Sequence, residues 1–369
     1  MTKPQTIAID ARIINSSTGR YVERLLTYLQ QIDTTNHYLV LVRAKDRTFW
    51  QPTAANFEVR VAEFDNYSLG EQLGFLKLLY SLKADLVHFC MPQQPLLYFR
   101  PHVTTIHDLT LLRTYNSDKN WLAYHLKQLV GFVVFFIIGR TSRHIITPTK
   151  FTKKAYKQFA RIPENKITVT YEGADTDTYK PEPFALPFQR FLLYVGTQSD
   201  YKNIKRLVQA HQKLKVRYPD LGLVLVGSKQ EATKRNEAWV QSHGFDDVVF
   251  TGFVSNEQLT WLFQHCATYV FPSLMEGFGL PGLEAMACGA PVVSSNATCL
   301  PEVYGDAAHY FDPTSVADMA RAIEEVITDT QLRNNLIKKG FAQAKKYSWH
   351  TMAAQTHRLY VQHSPLRRS

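Results

Sequence analysis

The chain has 369 residues, of which 45% are hydrophobic and 20% charged. This composition is typical of globular proteins and excludes disordered and fibrous classes. The 42 Lys and Arg residues outnumber the 32 Asp and Glu residues, which gives a formal net charge of +10. The excess favours phosphorylated ligands, nucleic acid or an anionic membrane surface as partners. At ~150 residues per domain, the length predicts two or three domains.

Cysteine content and hydropathy both bear on location. The four cysteines have no disulfide-framework or metal-site spacing, which indicates a reducing compartment. Residues 1–6 lead into a strand without a signal-peptide segment. The most apolar run, 129–138, has ten residues, whereas a membrane-spanning helix needs roughly 20. We therefore expect a cytoplasmic protein that is soluble or attached peripherally to the inner face of the cell membrane.

Short apolar runs alternate with amphipathic segments along the whole chain. In the first half, strands are predicted at 7–11, 38–43, 57–62, 85–89, 103–106, 144–148 and 166–171, and helices at 20–31, 73–82 and 151–159. In the second half, strands are predicted at 191–195, 221–226, 248–250, 268–271, 291–294 and 309–311, and helices at 204–216, 231–243, 256–265, 282–288, 316–328 and 331–346. This alternation predicts parallel sheets covered by helices on both faces.

A proline-rich stretch separates the two halves. Residues 179–187 contain three prolines, and proline neither donates a ladder hydrogen bond nor permits a helical residue before it without strain. We predict an N-terminal domain over 1–185, a C-terminal domain over 186–345, and a separate C-terminal helix over 346–369. Two doubly wound α/β domains bind ligands at the carboxyl ends of their strands, so a central cleft between them is the expected site.

The segment 271–294, FPSLMEGFGLPGLEAMACGAPVVS, carries the strongest chemical signal. A strand ends in a loop that contains Glu276 and several glycines, and a helix that contains Glu284 follows. Glycines permit close approach to a ligand, and the N–H groups of a helix N-terminus favour an anion. Two carboxylates there would suit the hydroxyl groups of a sugar. The alternative is structural: Glu284 as a favourable acid near a helix N-terminus, and Glu276 as a surface loop residue.

Three further residues stand where strands end. Lys202 opens a helix after the strand 191–195, where a cation would meet a diphosphate. Gly19 lies in the loop after the first strand, and a glycine there allows the backbone to approach phosphates. His107 ends the strand 103–106, at the edge where a switch-point cleft is expected. Their structural alternatives are a solvated lysine, an ordinary loop glycine and a structural histidine.

Glu276 and Glu284 match the E-x7-E motif of GT-B glycosyltransferases, and the surrounding segment resembles the donor site of glycosyltransferase family 4. The similarity covers nearly the whole chain and includes segments 9–12, 18–21, 105–109, 194–197, 202–203, 226–228, 251–254 and 347–349. The resemblance implies the GT-B fold: two Rossmann-like domains that face a central cleft, with a C-terminal helix that crosses back to the first domain.

The resemblance also implies roles for individual residues. Glu276 would contact the transferred sugar, Glu284 the ribose hydroxyls, Lys202 the diphosphate, and His107 the sugar site. The family commonly has an arginine where this chain has Thr197, and Arg206 is the candidate substitute. The predicted catalytic set is Glu276, His107 and Lys202. The predicted donor-binding set is Gly19, Thr197, Lys202, Arg206, Gly227, Phe253, Val254, Glu276, Gly277, Phe278, Gly279, Leu280 and Glu284.

The expected activity is retaining transfer of a hexose from GDP-mannose or a UDP-sugar to a saccharide or lipid-linked saccharide, in envelope polysaccharide or glycolipid synthesis. The family needs no metal, and we expect no cofactor. A nucleic-acid partner is not expected, because the Lys and Arg residues are scattered and no recognition module is present. A nicotinamide dehydrogenase would carry GxGxxG after the first strand, and 9–20 lacks it. A phosphorylase, an epimerase, or a catalytically decayed nucleotide-sugar-binding protein of the same fold are the open alternatives.

The segment 120–140 permits two interpretations. Its second half is almost uniformly apolar, which favours a buried helix. Arg113, Lys119 and Lys127 lie nearby, and a basic, apolar helix would also suit an anionic membrane surface.

Overall fold

The computed structural model describes residues 4–16, 18–114, 121–175 and 179–364. The chain divides into two compact units. The first comprises Met1–Leu109, Gln128–Gly173 and Ser348–Ser369, and the second comprises Thr110–Lys127 and Ala174–Tyr347. The division after Gly173 precedes the predicted boundary at 185, and the proline-rich stretch belongs to the second unit. One contact that attaches it is the hydrogen bond from the Glu182 N–H to the Glu257 carbonyl oxygen, at 3.2 Å.

Up to residue 169 the elements follow the predicted alternation. The strands are β1 Thr6–Asp10, β2 His37–Val42, β3 Phe57–Val61, β4 Leu86–Phe89, β5 His102–Thr105, β6 His144–Thr147 and β7 Ile167–Val169. The helices are α1 Gly19–Ile32, α2 Leu76–Ser81, α3 Thr110–Arg113, α4 Trp121–Thr141 and α5 Lys150–Ala160, and a π-helical turn, Glu71–Phe75, precedes α2.

The rest of the chain continues in the same way. The strands are β8 Arg190–Val195, β9 Leu221–Val226, β10 Val248–Gly252, β11 Thr268–Phe271, β12 Val292–Ser295 and β13 Ala308–Phe311. The helices are α6 Ile204–Lys215, α7 Glu231–Ser242, α8 Asn256–His265, α9 Leu280–Ala287, α10 Leu300–Tyr304, α11 Val316–Thr328, α12 Thr330–Ala344 and α13 Trp349–His363.

Each unit contains one parallel sheet. The first has the order β3-β2-β1-β4-β5-β6-β7 and the second β10-β9-β8-β11-β12-β13. Ile9 pairs with both Val40 and His88, and Leu192 pairs with Leu223. The direction of winding reverses between β1 and β4 and again between β8 and β11, so each sheet has a topological switch point there. These sheets confirm the predicted α/β class with two doubly wound domains.

The strands form the core of each unit. All residues of β4, β9, β11 and β12 are buried, as expected for parallel strands covered on both faces. His88 is fully buried in β4, and burial lowers its pKa to about 3. Its ring nitrogens lie 2.6 Å from the Tyr360 hydroxyl and 2.8 Å from the Thr105 hydroxyl. Because Tyr360 belongs to α13, this buried network attaches the C-terminal helix to the first unit.

The helix α4 has both a buried and an exposed apolar side. Val134, Phe135 and Ile138 are buried, as the uniform apolarity of the segment predicted. The expectation of burial is wrong for the other side, where the apolar side chains are 46–63% exposed: Leu129, Val130, Phe132 and Val133. Within the described part of the chain, no helix combines the length and apolarity needed to cross a membrane.

Candidate functional site

An ion pair joins two loops at the switch point of the second sheet. The loop after β8 carries Lys202, and the loop after β11 carries Glu276. The Lys202 Nζ atom lies 2.6 Å from Glu276 Oε1, and the two side chains are 13% and 12% exposed. The fold thus brings together, at the carboxyl edge of adjacent strands, two residues that the sequence predicted as catalytic.

The backbone that carries Lys202 is fixed by Asn203. Asn203 has a left-handed conformation with φ +64°, which asparagine tolerates better than most residues. Its side-chain amide donates to the Pro272 carbonyl at 3.0 Å and to the Pro313 carbonyl at 2.8 Å. The Leu274 N–H also donates to the Tyr201 carbonyl at 2.8 Å. The two loops are therefore held together by their backbones as well as by the ion pair.

The Glu276 carboxylate stabilises the charged form of Lys202. Burial lowers the pKa of Lys202, but the Glu276 carboxylate, assisted by Tyr201 and Tyr194, outweighs this, so the pKa lies above the usual value for lysine. The Glu276 N–H donates to the Thr298 hydroxyl at 3.2 Å, which fixes the carboxylate's backbone. Lys202 therefore keeps its positive charge throughout the physiological pH range.

Gly279, the residue before α9, must be a glycine because of its backbone conformation and its close neighbours. Gly279 has φ +95°, and a Cβ atom there would lie 2.6 Å from the Tyr304 hydroxyl oxygen. That hydroxyl donates to the Gly279 carbonyl at 2.5 Å. Leu280 follows as the first helical residue, and Pro281 occupies the first turn, where its missing N–H costs nothing. Tyr304 therefore holds the loop between Glu276 and α9 in place through this hydrogen bond.

The remaining residues of this loop point in different directions. Glu284 lies one turn after Leu280 on α9, and both are partly exposed. Gly277 and Phe278 are buried. The Phe278 ring packs perpendicular to Tyr347, with centroids 5.5 Å apart, so its side chain belongs to the core. Only the backbone of Phe278 is available for the predicted donor contact.

The other predicted donor residues of the second unit lie just after β8, β9 and β10, except for Arg206, which lies in the first turn of α6. The Thr197 carbonyl accepts a hydrogen bond from Tyr194, and the Gly227 N–H donates to the Gly252 carbonyl at 3.1 Å. Phe253 is 89% exposed, whereas Val254 is buried. Arg206 donates to the Asn203 side-chain oxygen at 2.9 Å. Arg206 therefore contacts the same loop as Lys202, although its role as a substitute for the family arginine stays a prediction.

His107 lies in the first unit, just after β5. Its Nε2 atom lies 3.0 Å from the Cys90 carbonyl oxygen, and its Nδ1 atom lies 3.2 Å from Glu172 Oε1. The ring is also perpendicular to Tyr21, at a centroid distance of 4.7 Å. Sequence reasoning missed Glu172. Its position three residues after β7, at the same sheet edge as His107, was the available signal.

Gly19, also in the first unit, has a structural requirement of its own. A Cβ atom at this position would lie 1.9 Å from the Ile14 carbonyl oxygen. The glycine is therefore needed for the loop to fold back on itself before α1. Its predicted contact with phosphates stays a prediction.

The described residues contain no group of three or more His, Cys, Asp or Glu side chains that could hold a metal ion. Cys299 lies beside Glu276, and its thiol donates to the Glu276 carbonyl at 3.3 Å. Burial raises the pKa of Cys299 well above its usual value, so it is not a ready thiolate nucleophile. The site around Lys202 and Glu276 in the second unit can therefore act by placing charges and by forming hydrogen bonds.

Comparison with known proteins gives matches along most of the chain. Residues 18–178 match the family described as Glycosyltransferase Family 4, and residues 175–343 match Glycosyl transferases group 1. The chain is 31% identical over 294 residues to O-antigen chain mannosyltransferase B of Escherichia coli, which covers 71% of this chain and 72% of that protein.

Two further similarities extend this result. The chain is 32% identical over 261 residues to the serotype-specific mannosyltransferase WbdA of Escherichia coli. That match covers 67% of this chain but only 32% of the relative, so the chain corresponds to about a third of WbdA. The structure superposes on sucrose-phosphate synthase from Thermosynechococcus elongatus with a TM-score of 0.78 and 20% identity, covering 97% of this chain and 98% of the other. This last similarity concerns the fold.

Proposed function

The chain belongs to glycosyltransferase family 4 and has the GT-B fold, and from that premise we propose that it transfers a mannosyl residue from a nucleotide diphosphate to a saccharide, with retention of configuration. The sugar is proposed because two relatives are described as mannosyltransferases. One of these is an O-antigen chain enzyme, which supports a role in envelope polysaccharide synthesis. The observation that carries the catalytic proposal is the ion pair between Lys202 and Glu276 at the switch point.

The pair supplies complementary groups for a sugar diphosphate. Lys202 is a permanent cation and can donate to phosphate oxygens, which accumulate negative charge as the diphosphate leaves. Glu276 is an acceptor for sugar hydroxyls. Without donor, each side chain neutralises the other at 2.6 Å, so neither charge is left uncompensated in a largely buried site. Glu284 then accepts hydrogen bonds from the ribose hydroxyls.

The proposed chemical step needs no protein nucleophile. The acceptor hydroxyl oxygen forms a bond to the anomeric carbon on the face from which the diphosphate departs, and the bond from that carbon to the diphosphate oxygen breaks. The hydroxyl proton passes to an oxygen of the departing diphosphate. The protein contributes orientation and charge stabilisation, through Glu276 at the sugar and Lys202 at the leaving group.

Calorimetry and product analysis test this proposal. We expect the wild-type protein to bind GDP or UDP, and to consume GDP-mannose faster than UDP-glucose when a mannosyl acceptor is present. Early product, analysed by NMR, should have the anomeric configuration of the donor. Inverted product would refute the mechanism. Nucleotide binding without turnover on any donor would instead support the catalytically decayed alternative.

Metal independence is tested in the same assay. Turnover should be unchanged in excess EDTA and should not rise when Mg²⁺ or Mn²⁺ is added, because Lys202 supplies the charge that a metal would otherwise bring to the diphosphate. Loss of activity on chelation, restored by a divalent ion, would contradict this part of the proposal.

We further propose that the first unit attaches to the anionic inner face of the cell membrane, so that the protein is a cytoplasmic, peripheral enzyme. The exposed apolar side of α4 lies next to α5: the Phe132 and Phe159 rings are 4.8 Å apart, and the Tyr156 hydroxyl donates to the Phe135 carbonyl at 2.7 Å. A groove of about 640 Å³ beside α5 and β7 is lined by four lysines: Lys150, Lys153, Lys154 and Lys157. One acid in the groove, Glu164, pairs with Lys157 at 2.7 Å, so a net positive charge remains.

Vesicle sedimentation tests the attachment. Each lysine close to an anionic bilayer contributes about 1 kcal/mol, so binding to phosphatidylglycerol vesicles should exceed binding to phosphatidylcholine vesicles and should fall with salt. Phe132→Ser and the double variant Lys153→Gln, Lys154→Gln should both weaken it. Val216→Ser, at an apolar residue of the second unit that is 84% exposed, is the matched control. Equal binding to both vesicle types would refute an electrostatic contribution.

A further inference from the structure

A polar cavity lies in the second unit beside the start of α6. It has a volume of about 330 Å³ and is lined by the loop after β8, by the first two turns of α6 and by Asn236 of α7. Volumes of about 300–1,000 Å³ are typical of small-molecule sites. Neither Lys202 nor Glu276 is among the described residues that line the cavity. The cavity is therefore separate from the ion pair of the proposed donor site.

The N-terminus of α6 has no negative charge within its own first turn. Asn203, the residue before the helix, does not cap it through its side chain, and the first turn contains no Asp or Glu. The Asn203 amide donates instead to the carbonyls of Pro272 and Pro313, and its side-chain oxygen accepts from Arg206. The N–H groups of the first turn therefore keep their positive partial charge, which favours an anion.

Two cations of this first turn, Lys205 and Arg206, line the cavity. The Lys205 Nζ atom lies 5.5 Å from the centre of the Trp239 ring, so its side chain points toward α7. Asp200 is the one carboxylate among the described lining residues, and it lies 3.5 Å from the Arg235 guanidinium, which offsets its charge. The described lining therefore has a net positive charge.

A buried amide in the lining has an unused donor. Gln198 is 3% exposed, and its Nε2 atom finds no hydrogen-bond partner among the described residues. Asn236 Nδ2 donates to the Gln198 backbone carbonyl at 3.1 Å and to Gln198 Oε1 at 3.4 Å. These contacts fix which end of each amide is the nitrogen. Because Gln198 lines the cavity, a ligand there can satisfy a donor whose burial otherwise costs stability.

We propose that this cavity binds a small phosphate monoester, such as a sugar phosphate. The donors are Lys205, Arg206, the Gln198 amide and the N–H groups that start α6, and the terminal phosphate oxygens accept from them. A phosphate group alone leaves much of the volume unfilled, so the esterified alcohol occupies the rest, beside Gln209. The inference goes beyond the proposed function and does not depend on it. It gives Arg206 a role other than the predicted one in donor binding.

Calorimetric titration with ribose 5-phosphate in the presence of saturating GDP or UDP tests the site. The nucleotide fills the proposed donor site, so the remaining binding reports on the cavity. Ribose 5-phosphate should bind, inorganic phosphate should bind more weakly because it leaves the rest of the cavity empty, and ribose should not bind. Lys205→Gln and Gln198→Leu should each weaken binding about tenfold, as expected for one lost hydrogen bond to a charged group.

Two surface variants make the test independent of the buried amide. Gln209→Glu, at an exposed lining residue, should weaken binding because it places a carboxylate beside the phosphate. Lys213→Gln is the matched control for Lys205→Gln: Lys213 is exposed two turns later on α6 and is not among the described lining residues. It should bind like the wild type. Melting temperatures show whether Gln198→Leu folds.

Several outcomes would overturn the inference. Displacement of ribose 5-phosphate by GDP or UDP would show that it occupies the donor site. No binding by the wild type, or equal affinity in the wild type, Lys205→Gln and Gln209→Glu, would leave the cavity without this ligand. Equal affinity for ribose 5-phosphate and inorganic phosphate would overturn the assignment to a monoester. If neither nucleotide binds, the proposed function fails, and titration of the free protein still tests the cavity.

Discussion

The ion pair between Lys202 and Glu276 makes a prediction about stability whose magnitude depends on whether one partner or both are removed. Lys202→Met leaves a carboxylate that is 12% exposed without its cation, and Glu276→Gln leaves an ammonium that is 13% exposed without its anion. The double variant removes both charges and keeps side chains of similar volume. If the pair acts as a unit, the double variant is more stable than either single variant.

The magnitude follows from the burial of the pair. Removing one partner of a buried ion pair costs about 3–5 kcal/mol, whereas replacing both by neutral groups is often nearly neutral. Because each side chain keeps about an eighth of its exposure, we expect a loss at or just below the lower end of that range, about 2–3 kcal/mol, for each single variant. The double variant should lie within about 1 kcal/mol of the wild type.

Hydrogen exchange of peptides that span β8 and β11 is the appropriate assay, because a chain with two units need not unfold in one step. The protection of these strands reports the opening free energy of the second unit, and β4 in the first unit is the internal control. All three variants should lose transferase activity. If the stability losses of the two single variants add up in the double variant, the two side chains are energetically independent, and the reasoning is refuted.

Three further predictions concern individual features. Glu284→Gln should weaken nucleotide binding by about 1–3 kcal/mol in calorimetry, because a charge-assisted hydrogen bond to the ribose is lost. Gly279→Ala should lower the melting temperature of the second unit through its positive φ and the 2.6 Å approach to Tyr304. Acid should destabilise the first unit before the second, by about 1.4 kcal/mol per histidine per pH unit below about 6.5. In the first unit, burial lowers the pKa of three histidines to about 3 or 4: His88, His102 and His144. In the second unit, burial lowers the pKa of His211 to about 4.

The sign of the acid effect follows from proton uptake. These histidines are neutral in the folded protein and gain a proton on unfolding between pH 4 and about 6.5, so stability rises with pH in that window. Equal protection of β4 and β9 from hydrogen exchange at pH 5 would contradict the prediction that acid destabilises the first unit before the second. Unchanged nucleotide affinity in Glu284→Gln would remove the ribose role. A melting temperature for Gly279→Ala equal to that of the wild type would show that the loop relaxes without cost.

Exposure and strain were the features that local pattern could not reveal. The apolarity of 129–138 predicted burial, but only one side of α4 is covered, because a helix that is apolar all round carries no signal of which face its neighbours occupy. The left-handed conformation of Tyr67, with φ +59°, was likewise unpredictable, because the Tyr67 N–H donates to Glu71 Oε2 and the other oxygen of Glu71 binds Arg12. A bulky aromatic residue is the last that local propensity would place there.

The sequence by itself determined the alternation of strands and helices, and hence the α/β class, because periodicity and turn residues are local properties. It also placed Glu276, Lys202 and His107 after strand ends. The tertiary structure decided which strand ends are neighbours. Lys202 and Glu276 are 74 positions apart and meet because β8 pairs with β11. Such pairing depends on long-range packing of the whole sheet, which no window of sequence contains.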